Sequence, residues 1–336
     1  MNRPVCWVVT DGKAGMENQC VGLAERLGLV PMVKRVRLRT PWRQLSPWLL
    51  RWGNRWSLSS AGDQLDGPLP DLLIATGRHS VSSSLAVGEL SGGRCFRVQI
   101  QDPGIDPKHF DLVVVPRHDR LRGANVLVTT GALHQVSAAT LAAARQRFAA
   151  RLAALPRPRV AVLLGGSNGA YRFTPALARE LADRLAAVIR GQGGSLMVTP
   201  SRRTDAGAAA VCREALGRLP GEFWDGTGDN PYLGYLAFAD AVVVTSDSVN
   251  MVCEACATGL PVHVFELAGG SAKFRRFHDG LGADGITRPF TGVIEDWSYP
   301  PFDDTQTVAD EIRHHMARCG WIWQDRKIAN GVTPAR

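Results

Sequence analysis

The sequence predicts an α/β protein made of two doubly wound, Rossmann-type domains that face a central cleft. Three observations lead there. Strand-like apolar runs alternate with helical patterns along most of the chain, the mark of βαβ units and a mainly parallel sheet. The alternation stops once, at Pro156-Arg157-Pro158, where helix cannot continue, and then restarts. And 336 residues suffice for two domains, each with a core of its own.

In the first half, strands are expected at residues 5–10, 71–76, 95–100, 111–115 and 125–130, with helices at 19–27, 80–90 and 138–155. In the second half the strands are 160–164, 195–199, 241–245 and 262–266, and the helices 175–190, 205–216 and 249–258. The division reads as an N-domain over 1–157, a C-domain over 158–305, and a last segment, 306–336 with Trp321 and Trp323, returning to the N-domain.

Composition narrows the class. Hydrophobic residues make up 45% and charged residues 21%, which suits globular domains and not a disordered chain. No apolar run reaches the roughly 18 residues of a membrane span. The first fifteen residues read as a strand and a polar loop, not a signal or transit segment, so a cytoplasmic location is expected. Seven scattered cysteines do not make a disulfide framework, and Cys253 and Cys256, alone within an apolar helical pattern, read as core. No metal ligand set and no cofactor is expected.

The net charge of +8 is concentrated: Lys34, Arg35, Arg37, Arg39, Arg43, Arg51 and Arg55 lie in a stretch without acids between Glu25 and Asp63. One basic segment is too little for a nucleic-acid binder, so no nucleic-acid partner is expected.

Ligands of such sheets sit beyond the carboxyl ends of the strands, and four loops there stand out. Residues 10–19, TDGKAGMENQ, hold Asp11, Lys13 and Glu17, which can bond to a ligand or take its proton. Residues 76–80, TGRHS, offer Arg78 and His79 to an anion. Residues 165–170, GGSNGA, place three glycines after a buried strand, where backbone N–H groups approach a phosphate closely. It is neither a Walker loop nor a GxGxxG fingerprint. The fourth, TSDS at 245–248, leads into a helix capped by its serines, Ser246 and Ser248, and Asp247, with a lone Glu254 suited to a ribose diol, and Gly259 and Pro261 ending it.

GGSNGA and SDSVNMVCEACATGLPV, about 80 residues apart, resemble the donor half of GT-B glycosyltransferases, closest to the bacterial N-acetylglucosaminyltransferases that form lipid II. The resemblance implies a GT-B-like fold in which Gly165, Gly166, Ser167, Asn168 and Gly169 cradle a diphosphate and Glu254 holds a ribose. A wider set resembles the plant mitochondrial fission family of the elongated-mitochondria type and its bacterial homologues. It comprises DGKAGMENQ, ATGRHS, QIQDPG, LLGGSNGAYRF, TPSRRT and TSDSVNMVCEA, over about residues 5 to 270. The plant members are linked to recruitment of a dynamin-related protein, and what the family shares is the scaffold. Lipid II-type transferases carry GGTGGH near the N-terminus; DGKAGMENQ stands here without a His. A base must come from elsewhere, with Asp11 and Glu17 foremost and His79 and Asp102 behind them. Arg202 and Arg203 are placed to stabilise a departing diphosphate.

Ser46-Pro47 reads as a helix start, with Trp48, Trp52 and Trp56 along one face and Arg51 and Arg55 beside them. With Arg43 they suit an anionic membrane surface. The expected function is an inverting, metal-independent glycosyltransferase. It moves a sugar from a nucleotide-sugar substrate to a lipid-linked acceptor at the inner face of the cytoplasmic membrane. A non-catalytic membrane-associated adaptor and a sugar-nucleotide epimerase are the alternatives.

Overall fold

A computed structural model describes residues 4–46 and 57–318. Trp48, Arg51, Trp52, Arg55, Trp56, Trp321 and Trp323 lie outside the described residues. The chain forms two compact units. The first runs to Val114 and adds Arg122–Leu127 and the chain from Thr305; the second is Val115–Leu121 with Val128–Asp304.

The first unit contains β1 (Cys6–Thr10), α1 (Ala14–Arg26), β2 (Met32–Arg35), α2 (Trp42–Leu45), β3 (Leu72–Thr76), α3 (Val81–Leu90), β4 (Phe96–Ile100), β5 (Leu112–Pro116) and β6 (Val126–Thr129). Its strands run in the order β2-β1-β3-β4-β5-β6. The pairs of β1 with β2 and β3, and of β3 with β4, are parallel. β1 and β3 are fully buried, as apolar runs covered on both faces must be. The chain goes from β1 to one neighbour and then to the other, so order reverses between β1 and β3.

The second unit contains α4 (Ala138–Leu152), β7 (Arg159–Leu164), β8 (Tyr171–Arg172), α5 (Pro175–Gln192), β9 (Ser195–Pro200), α6 (Ala206–Leu216), β10 (Gly221–Phe223), α7 (Tyr232–Phe238), β11 (Ala241–Thr245), α8 (Val249–Cys256), β12 (Val262–Phe265), β13 (Ala268–Gly269), α9 (Ala272–Ala283) and β14 (Thr287–Pro289). Its main sheet has the order β10-β9-β7-β11-β12-β14, with β7 parallel to both β9 and β11. Here the order reverses between β7 and β11. One apolar layer puts β7, α5 and α6 together through Val160, Val162, Leu181, Leu185 and Cys212. The other joins α4, α7 and α8 through Phe148, Leu152, Tyr235, Val252, Cys253 and Cys256. The two cysteines of α8 are therefore core.

Several expectations are corrected. The helix at 138–155, expected to close the N-domain, packs in the second unit, because Ala144, Phe148 and Leu152 share their core with Tyr235 and Phe238. It ends at Leu152. α1 starts at Ala14, not 19, so Glu17 and Gln19 are helical and the loop after β1 is short. α7, α9, β10, β14 and a final helix, α10 (Asp304–Arg318), were not foreseen. α10 buries Val308, Ala309, Ile312 and Met316, a helical stripe, while Arg313 donates to the Arg26 carbonyl at 2.6 Å and Arg26 to Gln306 at 3.2 Å.

The basic segment is partly neutralised by acids distant in sequence. Lys34 pairs with Asp66 at 2.6 Å and lies over Trp7, and Arg35 holds Glu17 with two hydrogen bonds. No helix among the described residues is long and apolar enough to cross a membrane.

Candidate functional site

The switch points of the two sheets fall where the sequence motifs lie. In the second unit the loops after β7 and β11 adjoin because those strands pair from Ala241↔Val160 to Val244↔Leu163. Motifs about 80 residues apart thus meet at one sheet edge. Gly165 donates its N–H to Thr245 Oγ1 at 2.8 Å, and Gly166 donates to Asp247 Oδ2 at 3.0 Å. Thr245 Oγ1 donates to Asp247 Oδ1 at 2.7 Å, and Arg203 Nη2 reaches Oδ2 at 2.9 Å.

Asp247, which the sequence reading passed over as part of a helix cap, is thus the hub of the loop. Its side chain is wholly buried while Arg203 remains half-exposed. Burial pushes its carboxyl up, against the Gly166, Thr245 and Arg203 hydrogen bonds and charge that pull it down. A Cβ on Gly165 would come within 1.9 Å of Asp247 Oδ1, and one on Gly166 within 1.9 Å of the Arg203 carbonyl. The first two glycines are therefore required by the protein's own carboxylate and backbone, and their N–H groups are spent on the Thr245 hydroxyl and the Asp247 carboxylate. This corrects the view of all the loop amides as free for a phosphate. Among the described residues, the N–H groups of Ser167 and Gly169 meet no acceptor.

Asn168 shapes the rest of the loop. Its Oδ1 accepts from Ala170 and Tyr171, and its Nδ2 donates to the Asp247 carbonyl at 3.2 Å. Ser167 Oγ accepts from Phe173. The two serines near α8 are structural: Ser246 Oγ accepts from Leu267 and Ser248 Oγ from Met251 at the helix start. The arginines separate as well. Arg203 is tied to Asp247, whereas Arg202 is exposed and makes no ion pair among the described residues.

Glu254 is no solvated acid. It is half-buried on α8, its Oε2 accepts from the Tyr232 hydroxyl, and its Oε1 accepts no hydrogen bond among the described residues. Burial pushes its carboxyl up to about 7 despite the Tyr232 bond, which favours the charged form. Tyr232 was missed because it lies on α7, a short helix that the sequence did not announce.

In the first unit, the loops after β1 and β3 bring Asp11, Lys13 and His79 together. Asp11 Oδ2 holds Lys13 Nζ at 2.6 Å, and His79 Nδ1 lies 3.7 Å away. Burial, then the charge of Arg78, depress the His79 pKa; Asp11 opposes them, and Lys13 and Arg43 add to them. His79 is thus a neutral imidazole among cations at neutral pH, with Nε2 buried and without a partner among the described residues. Glu17 differs from expectation: Arg35 Nε and Nη2 donate to its two oxygens at 2.8 and 2.7 Å, which leaves it a weak candidate for a base. Asp102 closes its own turn by accepting from Gly104 at 2.8 Å. Arg43 and Arg78 are exposed.

Residues 14–316 match the family described as Mitochondrial fission ELM1. The mitochondrial fission protein ELM1 of Arabidopsis thaliana is 32% identical, over 94% of this chain and 91% of the plant protein. Among solved structures, a UDP-GlcNAc 2-epimerase from Methanocaldococcus jannaschii has TM-score 0.54 at 10% identity, covering 93% of this chain and 99% of its own. The glycosyltransferase SnogD from Streptomyces nogalater has TM-score 0.51 at 15% identity, covering 93% and 94%. At such identities the likeness is one of fold, and the fold is GT-B-like.

Proposed function

The chain belongs to the mitochondrial fission ELM1 family, and from that premise we propose that it binds a nucleotide sugar and transfers the sugar, as an inverting, metal-independent glycosyltransferase. One observation carries the reading. The glycine loop and the start of α8 meet at the switch point of a parallel sheet, where open α/β sheets bind their ligands. A UDP-GlcNAc-type donor fits what remains available there. The diphosphate would take the Ser167 and Gly169 N–H groups and the Arg202 guanidinium, and the ribose diol would donate to Glu254 Oε1. Asp11, with His79 beside it, would take the proton of an acceptor hydroxyl as it attacks the anomeric carbon, while Arg202 stabilises the leaving diphosphate. The acceptor is proposed to be lipid-linked and the protein to work at the inner face of the cytoplasmic membrane, held by Arg43 and the basic, tryptophan-rich segment that follows it.

Thermal denaturation with a panel of nucleotide sugars tests this directly. A donor present at 100 times its dissociation constant adds about 2.7 kcal/mol to stability, a clear rise in melting temperature. No shift with any nucleotide sugar would remove the donor site and leave the second reading, a non-catalytic adaptor. That reading is favoured by the name of the plant relative and by the Gly165 and Gly166 amides already satisfied by Thr245 and Asp247.

A further inference from the structure

Two tyrosines of α7 each give their hydroxyl proton to a carboxylate. Tyr235, wholly buried, donates to Glu222 Oε1 at 2.7 Å. Tyr232, half-buried and nearly one turn earlier, donates to Glu254 Oε2 on α8.

The two acids are completed differently. Glu222 also holds Arg151, whose Nε and Nη2 donate to its two oxygens, so its charge and both oxygens are satisfied. Glu254 has no cation beside it among the described residues, and its Oε1 accepts no hydrogen bond there. A half-buried carboxylate resting on one hydrogen bond stays costly until further donors reach it.

The frame that holds this pair is firm. The Tyr232 N–H donates to Asn230 Oδ1 at 3.0 Å, and its side chain packs against the core shared by α4, α7 and α8. On α8, Val252, Cys253, Ala255 and Cys256 are buried in the same core, and Ser248 caps the start. The last torsion of a glutamate is broad and soft, so the Tyr232 hydroxyl is what sets the carboxylate plane and keeps Oε1 free.

Given the donor reading of Glu254, on which this rests, we propose that Tyr232 is a positioning residue of the donor site. It holds Glu254 so that the free oxygen reads the whole ribose diol and selects ribonucleotides over 2′-deoxyribonucleotides. Oε1 has two lone pairs and can accept from both hydroxyls of a vicinal diol. A deoxyribose brings one donor and leaves the carboxylate short, and a site built for a hydroxyl rejects the analogue that lacks it. Released from Tyr232, the carboxylate turns to water and loses the discrimination.

Equilibrium binding of UDP, CDP, GDP and ADP and of their 2′-deoxy counterparts to the full chain at pH 8 tests this. The tightest ribonucleotide should bind at least about tenfold better than its deoxy form, the scale of a lost charge-assisted hydrogen bond. Tyr232→Phe, which keeps the ring in the core, should lower that ratio at least about threefold. Glu254→Gln should bring it near one, and adding Tyr232→Phe to that variant should change it no further. Tyr235→Phe removes the same kind of bond from the same helix and should leave the ratio as it is. A wild-type ratio near one, a ratio untouched by Tyr232→Phe, or one lowered as much by Tyr235→Phe would overturn the proposal and leave the donor reading standing. A wild-type chain that binds none of these nucleotides loses the donor site, and Tyr232 its role with it.

Discussion

Glu254 has its ordinary carboxyl pKa near 4.5 raised to about 7 by burial, with Tyr232 only partly restoring the charged form. Folding therefore takes up a proton between those values. The stability linked to this group is fully present below about pH 4.5 and is lost as pH rises through 7. Glu254→Gln should flatten that slope, with a difference on the order of 1–3 kcal/mol between pH 5 and pH 8 by urea denaturation. An unchanged slope would mean that Glu254 is ionised throughout. The same substitution should weaken nucleotide-sugar binding at pH 8, where only the wild type presents a carboxylate to a diol. The two acids near β1 should separate. Asp11→Asn should keep donor affinity and lose about 10²–10⁴-fold in turnover. Glu17→Gln should change turnover little and remove only the pair with Arg35, because both its oxygens already face that guanidinium. Equal turnover losses would mean that the helix position of Glu17 does not keep it from the reaction.

The strand–loop–helix elements explain why neighbouring residues of one motif have different tasks. Gly165 and Gly166 follow β7 and lie against Asp247 and Arg203, while Gly169 would meet nothing within 4 Å if it carried a Cβ. Gly166→Ala should thus destabilise the fold by roughly 1–3 kcal/mol, as overpacking against backbone does. Gly169→Ala should cost little stability and show its effect in ligand affinity. Melting curves of the two variants check this, and equal destabilisation would remove the distinction. The sequence shows three equivalent glycines. Their difference depends on Asp247, about 80 residues away, and no local pattern encodes that approach.

For the whole molecule, the proposed membrane attachment turns on the partition of charge. Lys34 and Arg35 are paired with Asp66 and Glu17, so the membrane proposal sets other cations of the basic segment, Arg43 among them, against an anionic surface. Each is worth about 1 kcal/mol there, and salt screens it. Full-length protein should sediment with anionic vesicles at low salt and be released at high salt. Replacing Trp48, Trp52 and Trp56 by alanine should weaken binding even at low salt. Indifference of the wild type to anionic vesicles would end the case for a lipid-linked acceptor.

The alternating strands and helices, the restart after Pro158 and the four loops were legible in the sequence, because each rests on local periodicity or on a residue type with one conformational use. The parallel sheets and the buried cysteines of α8 follow from them. What only the tertiary structure decided lies in pairings across long sequence distances. α4 belongs to the second unit because its apolar stripe meets α7. The isolated cations Lys34 and Arg35 find acids from other segments. Asp247, a cap residue by its neighbours, becomes the buried hub of the glycine loop because β7 and β11 pair side by side. A sequence shows which groups carry charge or hydrogen bonds; which groups they meet, and so which remain for a ligand, is set by strand order and burial.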